Sequence, residues 1–160
     1  MSWVRAENLH LTLRFLGEID SVALERAREA VVAAAAGVEP FAVSLRGLCG
    51  FPPGRPPRVL WASVAAGGAG LEALYARLEG ALIERGLPGE NRAFHPHVTL
   101  ARVRDARGGG VLARVLGEGP AFGEVRVAAL HLMRSELDPR GARYRIVAEA
   151  PLGERSGPDR

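Results

Sequence analysis

Two stretches of this sequence share one pattern of reactive side chains, His10-Leu11-Thr12-Leu13 and His97-Val98-Thr99-Leu100. The chain holds only two threonines, and each stands two places after a histidine and just before a leucine. Shuffling would put both threonines two places after one of the four histidines about once in a thousand trials. In an extended strand, residues two apart share a face. Each tetrad therefore reads as a strand that shows His and Thr to one side and two aliphatic side chains to a core, and two such strands can face each other across a cleft. Near neutral pH one imidazole of such a pair can be neutral while the other is protonated. The first takes a proton from water and the second gives one to a leaving oxygen, as in-line displacement at phosphorus requires. The two Thr hydroxyls can hydrogen-bond non-bridging phosphate oxygens. Arg102, five residues after His97 at the end of the same strand, is the candidate cation, so neither metal nor cofactor is called for. The candidate catalytic pair is His10 and His97, with Thr12, Thr99 and Arg102 as substrate-binding residues.

Other chemistries fit less well. A zinc site at His95 and His97 lacks Cys or carboxylate ligands at suitable spacing. A Ser-His-Asp hydrolase lacks the Gly-x-Ser-x-Gly signature. His131 reads as a hydrogen-bonded structural residue, His95 as a loop residue supporting Phe94 and His97, and the lone Cys49 as a small apolar filler on a strand. Gly67-Gly68-Ala69-Gly70 lacks the Gly-Lys-Ser/Thr ending of a phosphate loop and reads as a turn before a helix.

The elements that must position these residues are marked by local pattern. Asp20 or Ser21 can cap a helix that runs to Gly37 with Leu24, Ala27, Val31 and Ala34 on one face. Phe41, Val43 and Leu45 alternate with Ala42, Ser44 and Arg46 as a strand, and Val59, Trp61 and Ser63 share one face of the next. The proline-rich Phe51 to Pro57 between them is a surface loop. A second helix carries Leu71, Leu74, Tyr75, Leu78 and Leu82 and stops at Gly86 and Pro88. The second tetrad continues as a strand through Val103. Asp105 to Gly110 reads as a charged loop, Val111 to Leu116 as a short helix and Val125 to Leu132 as a strand. Asp138-Pro139-Arg140-Gly141 is a turn before the last strand. This order predicts an α+β fold with antiparallel sheets rather than a doubly wound parallel one.

With 160 residues, 48% of them hydrophobic, the chain can bury a substantial core. It has no apolar run of membrane-spanning length, no signal-peptide segment near Met1 and a single cysteine, which fits a cytoplasmic protein. All 21 basic residues are arginine, so any phosphate will meet planar guanidinium forks. The net charge of +3 is itself weak support for nucleic-acid binding.

The paired His-x-Thr-Leu motifs resemble those of the 2H phosphoesterase superfamily. Glu7 through Glu18 is similar to the first motif of the RNA 2′,3′-cyclic phosphodiesterases, also called 2′-5′ RNA ligases. Phe94 through Arg102 is similar to their second. Arg58-Val59-Leu60-Trp61, Ser135 through Gly141, Tyr144 and Pro151-Leu152 extend the likeness across Trp3 to Leu152. The resemblance implies one bilobal domain over 1–152 with antiparallel sheets and helices around a central cleft, one tetrad per lobe, and a disordered tail over 153–160. It also implies that a strand and helix which precede Trp3 in the family are missing here. The implied activity opens a 2′,3′-cyclic phosphate on RNA or a nucleotide to a 2′-phosphate without a metal. His10 would protonate the departing 3′ oxygen and His97 would activate water, or the two in exchanged roles, and Thr12, Thr99 and Arg102 would hold the phosphate. A 5′-hydroxyl in place of water would give reversible 2′-5′ ligation. The implied partners are RNA ends bearing 2′,3′-cyclic phosphate, tRNA-like fragments or nucleotides, met by a monomer with no membrane and no metal. Alternatives are another small cyclic phosphate, such as one on ADP-ribose, and an RNA-end binding protein with impaired catalysis.

Overall fold

The computed structural model describes residues 1–53 and 55–153 and has the expected α+β class with antiparallel sheets. Most of the tail expected to be disordered, residues 154–160, lies outside the described residues. The chain divides into two compact units. One comprises Met1–Thr12, Ala42–Gly68 and His95–Val125; the other comprises Leu13–Phe41, Ala69–Phe94 and the chain from Arg126. His10 to Thr12 of the first tetrad and the whole of the second lie in the first unit, and Leu13 begins a segment of the second.

The second unit holds two helices and a hairpin. Helix α1 (Ser21–Ala35) starts where the Asp20 carboxylate accepts the Ala23 N–H at 2.8 Å, and Gly37 follows its end at φ 72°. Its buried stripe is mainly alanine, Ala27, Ala30, Ala34 and Ala35 around Val31, which lets neighbouring chain approach closely. Helix α2 (Gly68–Glu84) supplies the bulk, burying Leu71, Leu74, Leu78 and Leu82. Each is worth roughly 2 kcal/mol by burial alone. Leu130, Leu132, Ala150 and Leu152 complete that core from the hairpin of strands β6 (Ala129–Asp138) and β7 (Gly141–Pro151). On β6 the His131 Nε2 lies 2.8 Å from Glu149 of β7, its register partner, so this histidine has the structural role expected of it.

The first unit is built on a five-stranded sheet in the order β1-β4-β3-β2-β5, where β1 is Ser2–Trp3, β2 Phe41–Phe51, β3 Val59–Ala66, β4 His97–Arg102 and β5 Gly117–Val127. Its buried side centres on Leu60, Ala101 and Val103. Three local readings of the sequence are corrected here. The glycine-rich stretch after Asp105 is not a loop but helix α3 (Ala106–Ala113). A Cβ on Gly109 would stand 2.9 Å from Pro56 Cβ and 3.0 Å from the Pro57 carbonyl, so glycine permits that close approach. Residues 117–127, lacking alternation because of their glycines, nevertheless form β5. The first tetrad is not a strand: its ladder contact is one isolated antiparallel bridge, Leu11 to Val98. A strand needs a run of backbone partners, and neither pattern nor propensity can supply them.

Candidate active site

Residues directly opposite one another in an antiparallel pair put their side chains on the same face. From β3 to β4 the pairs are Ser63 with His97, Ala62 with Val98, Trp61 with Thr99, Leu60 with Ala101 and Val59 with Arg102. Leu100 is thus an extra residue, a bulge at which β4 changes parity. Ahead of it His97 and Thr99 share the face of Ser63 and Trp61, while Val98 lies with buried Ala62. Beyond it, buried Ala101 joins Leu60, and Arg102 turns onto the face of His97 and Thr99. In a regular strand a five-residue offset would have aimed Arg102 at the opposite side. The bulge is what brings together the three candidates of the second motif.

The Leu11–Val98 bridge brings in the first motif. Because the pairing is antiparallel, Thr12 comes alongside His97 and His10 alongside Thr99. Leu11, directly opposite Val98, is half-buried, whereas His10 and Thr12 on either side of it are exposed. The two tetrads therefore run antiparallel to each other through one backbone pair.

The two imidazoles are held alike. His10 Nδ1 lies 2.6 Å from the Asn8 carbonyl oxygen, and His97 Nδ1 lies 2.7 Å from that of His95. A carbonyl only accepts, so Nδ1 carries the proton in both rings, and Nε2 is the nitrogen that gains or loses one. The Asn8 carbonyl is fixed by a 3₁₀ turn over Ala6–Asn8. The His95 carbonyl is fixed by Pro96, which restricts the backbone on either side of it. His95 thus supports His97 as expected, through its backbone. The His97 ring also rests on Trp61, with centroids 5.0 Å apart and planes tilted by 42°, and Phe51 stacks on the far side of the series at 6.5 Å from Trp61. Cys49 is not a buried filler. It is exposed opposite Trp61, with Sγ 3.1 Å from the Ser63 hydroxyl. Among the described residues no three His, Cys, Asp or Glu side chains cluster as a metal site, and no helix is long and apolar enough to cross a membrane.

The family model of the 2′-5′ RNA ligase superfamily matches residues 2–139. The chain belongs to the 2′-5′ RNA ligase superfamily. It is 36% identical over 151 residues to an RNA 2′,3′-cyclic phosphodiesterase of Aeropyrum pernix, an alignment covering 93% of this chain and 85% of that one. It is also 36% identical over 146 residues to the protein of that name from Methanothermobacter thermautotrophicus, covering 90% and 78%. Among solved structures it is similar to TT0787 of Thermus thermophilus, with TM-score 0.78, 32% identity and coverage of 94% and 81%. A crystal structure of Escherichia coli LigT complexed with 3′-AMP gives TM-score 0.74 at 27% identity, covering 95% and 81%.

In this member of the superfamily, two side chains of α2 anchor the chain next to the tetrads, a role the sequence reading missed. Arg14, two residues past Thr12, has a nearly buried side chain whose Nε lies 2.6 Å from Glu79 Oε1, and it also donates to the carbonyls of Phe15 and Pro88. Phe94, three residues before His97, stacks on Tyr75 at 4.6 Å with planes 8° apart. Tyr75 and Glu79 are four residues apart, on one face of the helix. Burial, then the negative charges of Glu79 and Glu90, raise the Tyr75 phenol above its ordinary pKa, which keeps it neutral. The spacing of Tyr75 and Glu79 is a detectable signal, but it looks the same as an ordinary core-facing stripe.

Proposed function

We propose that this protein hydrolyses the 2′,3′-cyclic phosphate at RNA ends or on nucleotides to a 2′-phosphate by two-histidine acid–base catalysis. The observation that carries the reading is the matched clamping of His10 and His97 by the carbonyl two residues upstream, on tetrads joined by the antiparallel Leu11–Val98 bridge. The name that the relatives bear, RNA 2′,3′-cyclic phosphodiesterase, supports the substrate class. Water attacks phosphorus as His97 Nε2 takes its proton. The bond from phosphorus to O3′ breaks, and His10, protonated at both nitrogens, delivers its Nε2 proton to O3′. The product keeps the 2′ ester. Thr12, Thr99 and Arg102 hold the non-bridging oxygens as negative charge builds in the transition state. Electrostatic stabilisation from imidazolium and guanidinium takes the place of a metal. A 5′-hydroxyl entering along the path of water gives a 2′-5′ linkage, and the reverse reaction cleaves it. The protein acts on RNA as a cytoplasmic monomer.

The deciding experiment incubates the protein with 2′,3′-cyclic nucleotides in excess chelator and follows products by phosphorus NMR. A 2′-phosphate is expected. A 3′-phosphate would reverse the assignment of the leaving oxygen, loss of activity on chelation would revive a metal, and RNA binding without turnover would leave only an RNA-end binding protein.

A further inference from the structure

The sheet face that carries His97 continues onto β2. There the register pairs Phe51 with Val59, Cys49 with Trp61, Leu48 with Ala62 and Arg46 with Ser63. Gly47 is the extra residue of a second bulge, at φ 81°, a conformation that suits glycine. The parity change matters as it does at Leu100. In strict alternation Gly47 would follow Phe51 and Cys49 on this face, and Arg46 would point to the opposite one. With the bulge, Arg46, Ser63 and His97 form one row across β2, β3 and β4. Arg46 is exposed, and neither it nor Arg102 forms an ion pair with a carboxylate among the described residues.

Arg46 and Arg102 lie at opposite corners of this patch. Arg46 is two strand spacings from His97, about 10 Å across the sheet. Arg102 is four residues of β3 away along the strands, about 13 Å. A cyclic phosphate positioned between His10 and His97 within reach of Arg102 leaves the guanidinium of Arg46 beyond it, facing the rest of the substrate. The register pairs no Asp or Glu onto this face from β2, β3 or β4. A second guanidinium in such a place suits a second phosphate.

We infer that Arg46 binds the phosphodiester on the 5′ side of the terminal nucleoside, so that the site favours a polynucleotide end over a free nucleoside cyclic phosphate. This rests on the function proposed above. It is tested with three substrates: a nucleoside 2′,3′-cyclic phosphate, the same compound carrying a 5′-phosphate, and a dinucleotide ending in a 2′,3′-cyclic phosphate. Arg46→Ala should lower kcat/KM about tenfold for the two compounds with a second phosphate and less than twofold for the first. Arg46→Lys should recover part of the loss. The dependence of log kcat/KM on log salt for the dinucleotide should flatten by roughly one charge in Arg46→Ala. Equal losses on all three substrates would overturn the inference by putting Arg46 on the reacting phosphate, and no loss on any would make it an ordinary solvated arginine. Calorimetric binding of the corresponding 2′-phosphate products by wild type and Arg46→Ala reads the same contact without turnover. If the wild type turns over none of the substrates, the proposed reaction fails while the binding comparison still decides the role of Arg46.

Discussion

The two tetrads carry the same reactive side chains on unequal scaffolds. His97-Val98-Thr99-Leu100 lies in β4 with β3 along one edge, and on the other edge the Val4 N–H donates to the Leu100 carbonyl at 2.8 Å. His10-Leu11-Thr12-Leu13 has the single bridge from Leu11. Both imidazoles are nonetheless oriented by the same contact, an Nδ1–H donated to the carbonyl two residues back. Orientation of the imidazole therefore does not depend on membership of a sheet. It depends on a local turn, which a 3₁₀ segment supplies on one side and a proline on the other. The sheet adds stiffness for the threonine and for the residues after it.

The sharpest way to break this parity is to remove each ring. His10→Ala and His97→Ala should each lower kcat by about a thousandfold, because the proposed mechanism uses acid and base in one step. Losses that differ by more than tenfold would mean that the two histidines do not share the step, and circular dichroism should show the fold unchanged in both. The threonines should separate the scaffolds. We expect about a hundredfold loss for Thr99→Val, fixed opposite Trp61 on β4, and about tenfold for Thr12→Val, whose exposed position admits a substituting water. The reverse order in steady-state kinetics would make the single-bridge tetrad the principal phosphate holder. The smallest effect concerns the anchor beyond Thr12. Glu79→Gln should reduce stability by about 2 kcal/mol in urea unfolding, less than for a wholly buried pair, because Arg14 keeps its carbonyl acceptors. An unchanged midpoint would show that the ion pair does not tie down the first tetrad's exit.

The parts of this molecule that were legible in the sequence are those fixed locally. Asp20 and Gly37 bracket α1, leucine spacing marks α2, and alternation marks β3 with Trp61 and Ser63 on one side. The repeated His-x-Thr-Leu pattern marks the candidate site without any knowledge of pairing. What sequence could not reveal was register. Whether Arg102 joins His97 depends on one extra residue opposite β3, and whether the first tetrad is a strand depends on neighbours remote in the chain. Alternation also fails where glycine is frequent, so α3 and β5 were misread or overlooked, although close packing of Gly109 against Pro56 makes glycine the fitting residue there.

The bulge at Leu100 makes the charge of this surface a matter of counting. Giving Leu100 a partner, by inserting one residue between Leu60 and Trp61 of β3, changes no histidine, threonine or arginine, yet it would return β4 to strict alternation and exchange Arg102 for Ala101 beside His97. A family alignment that slides a single gap across 97–102 would make the same exchange on paper. Engineering of anion preference in this scaffold can therefore begin with the length of a strand, leaving its reactive side chains untouched.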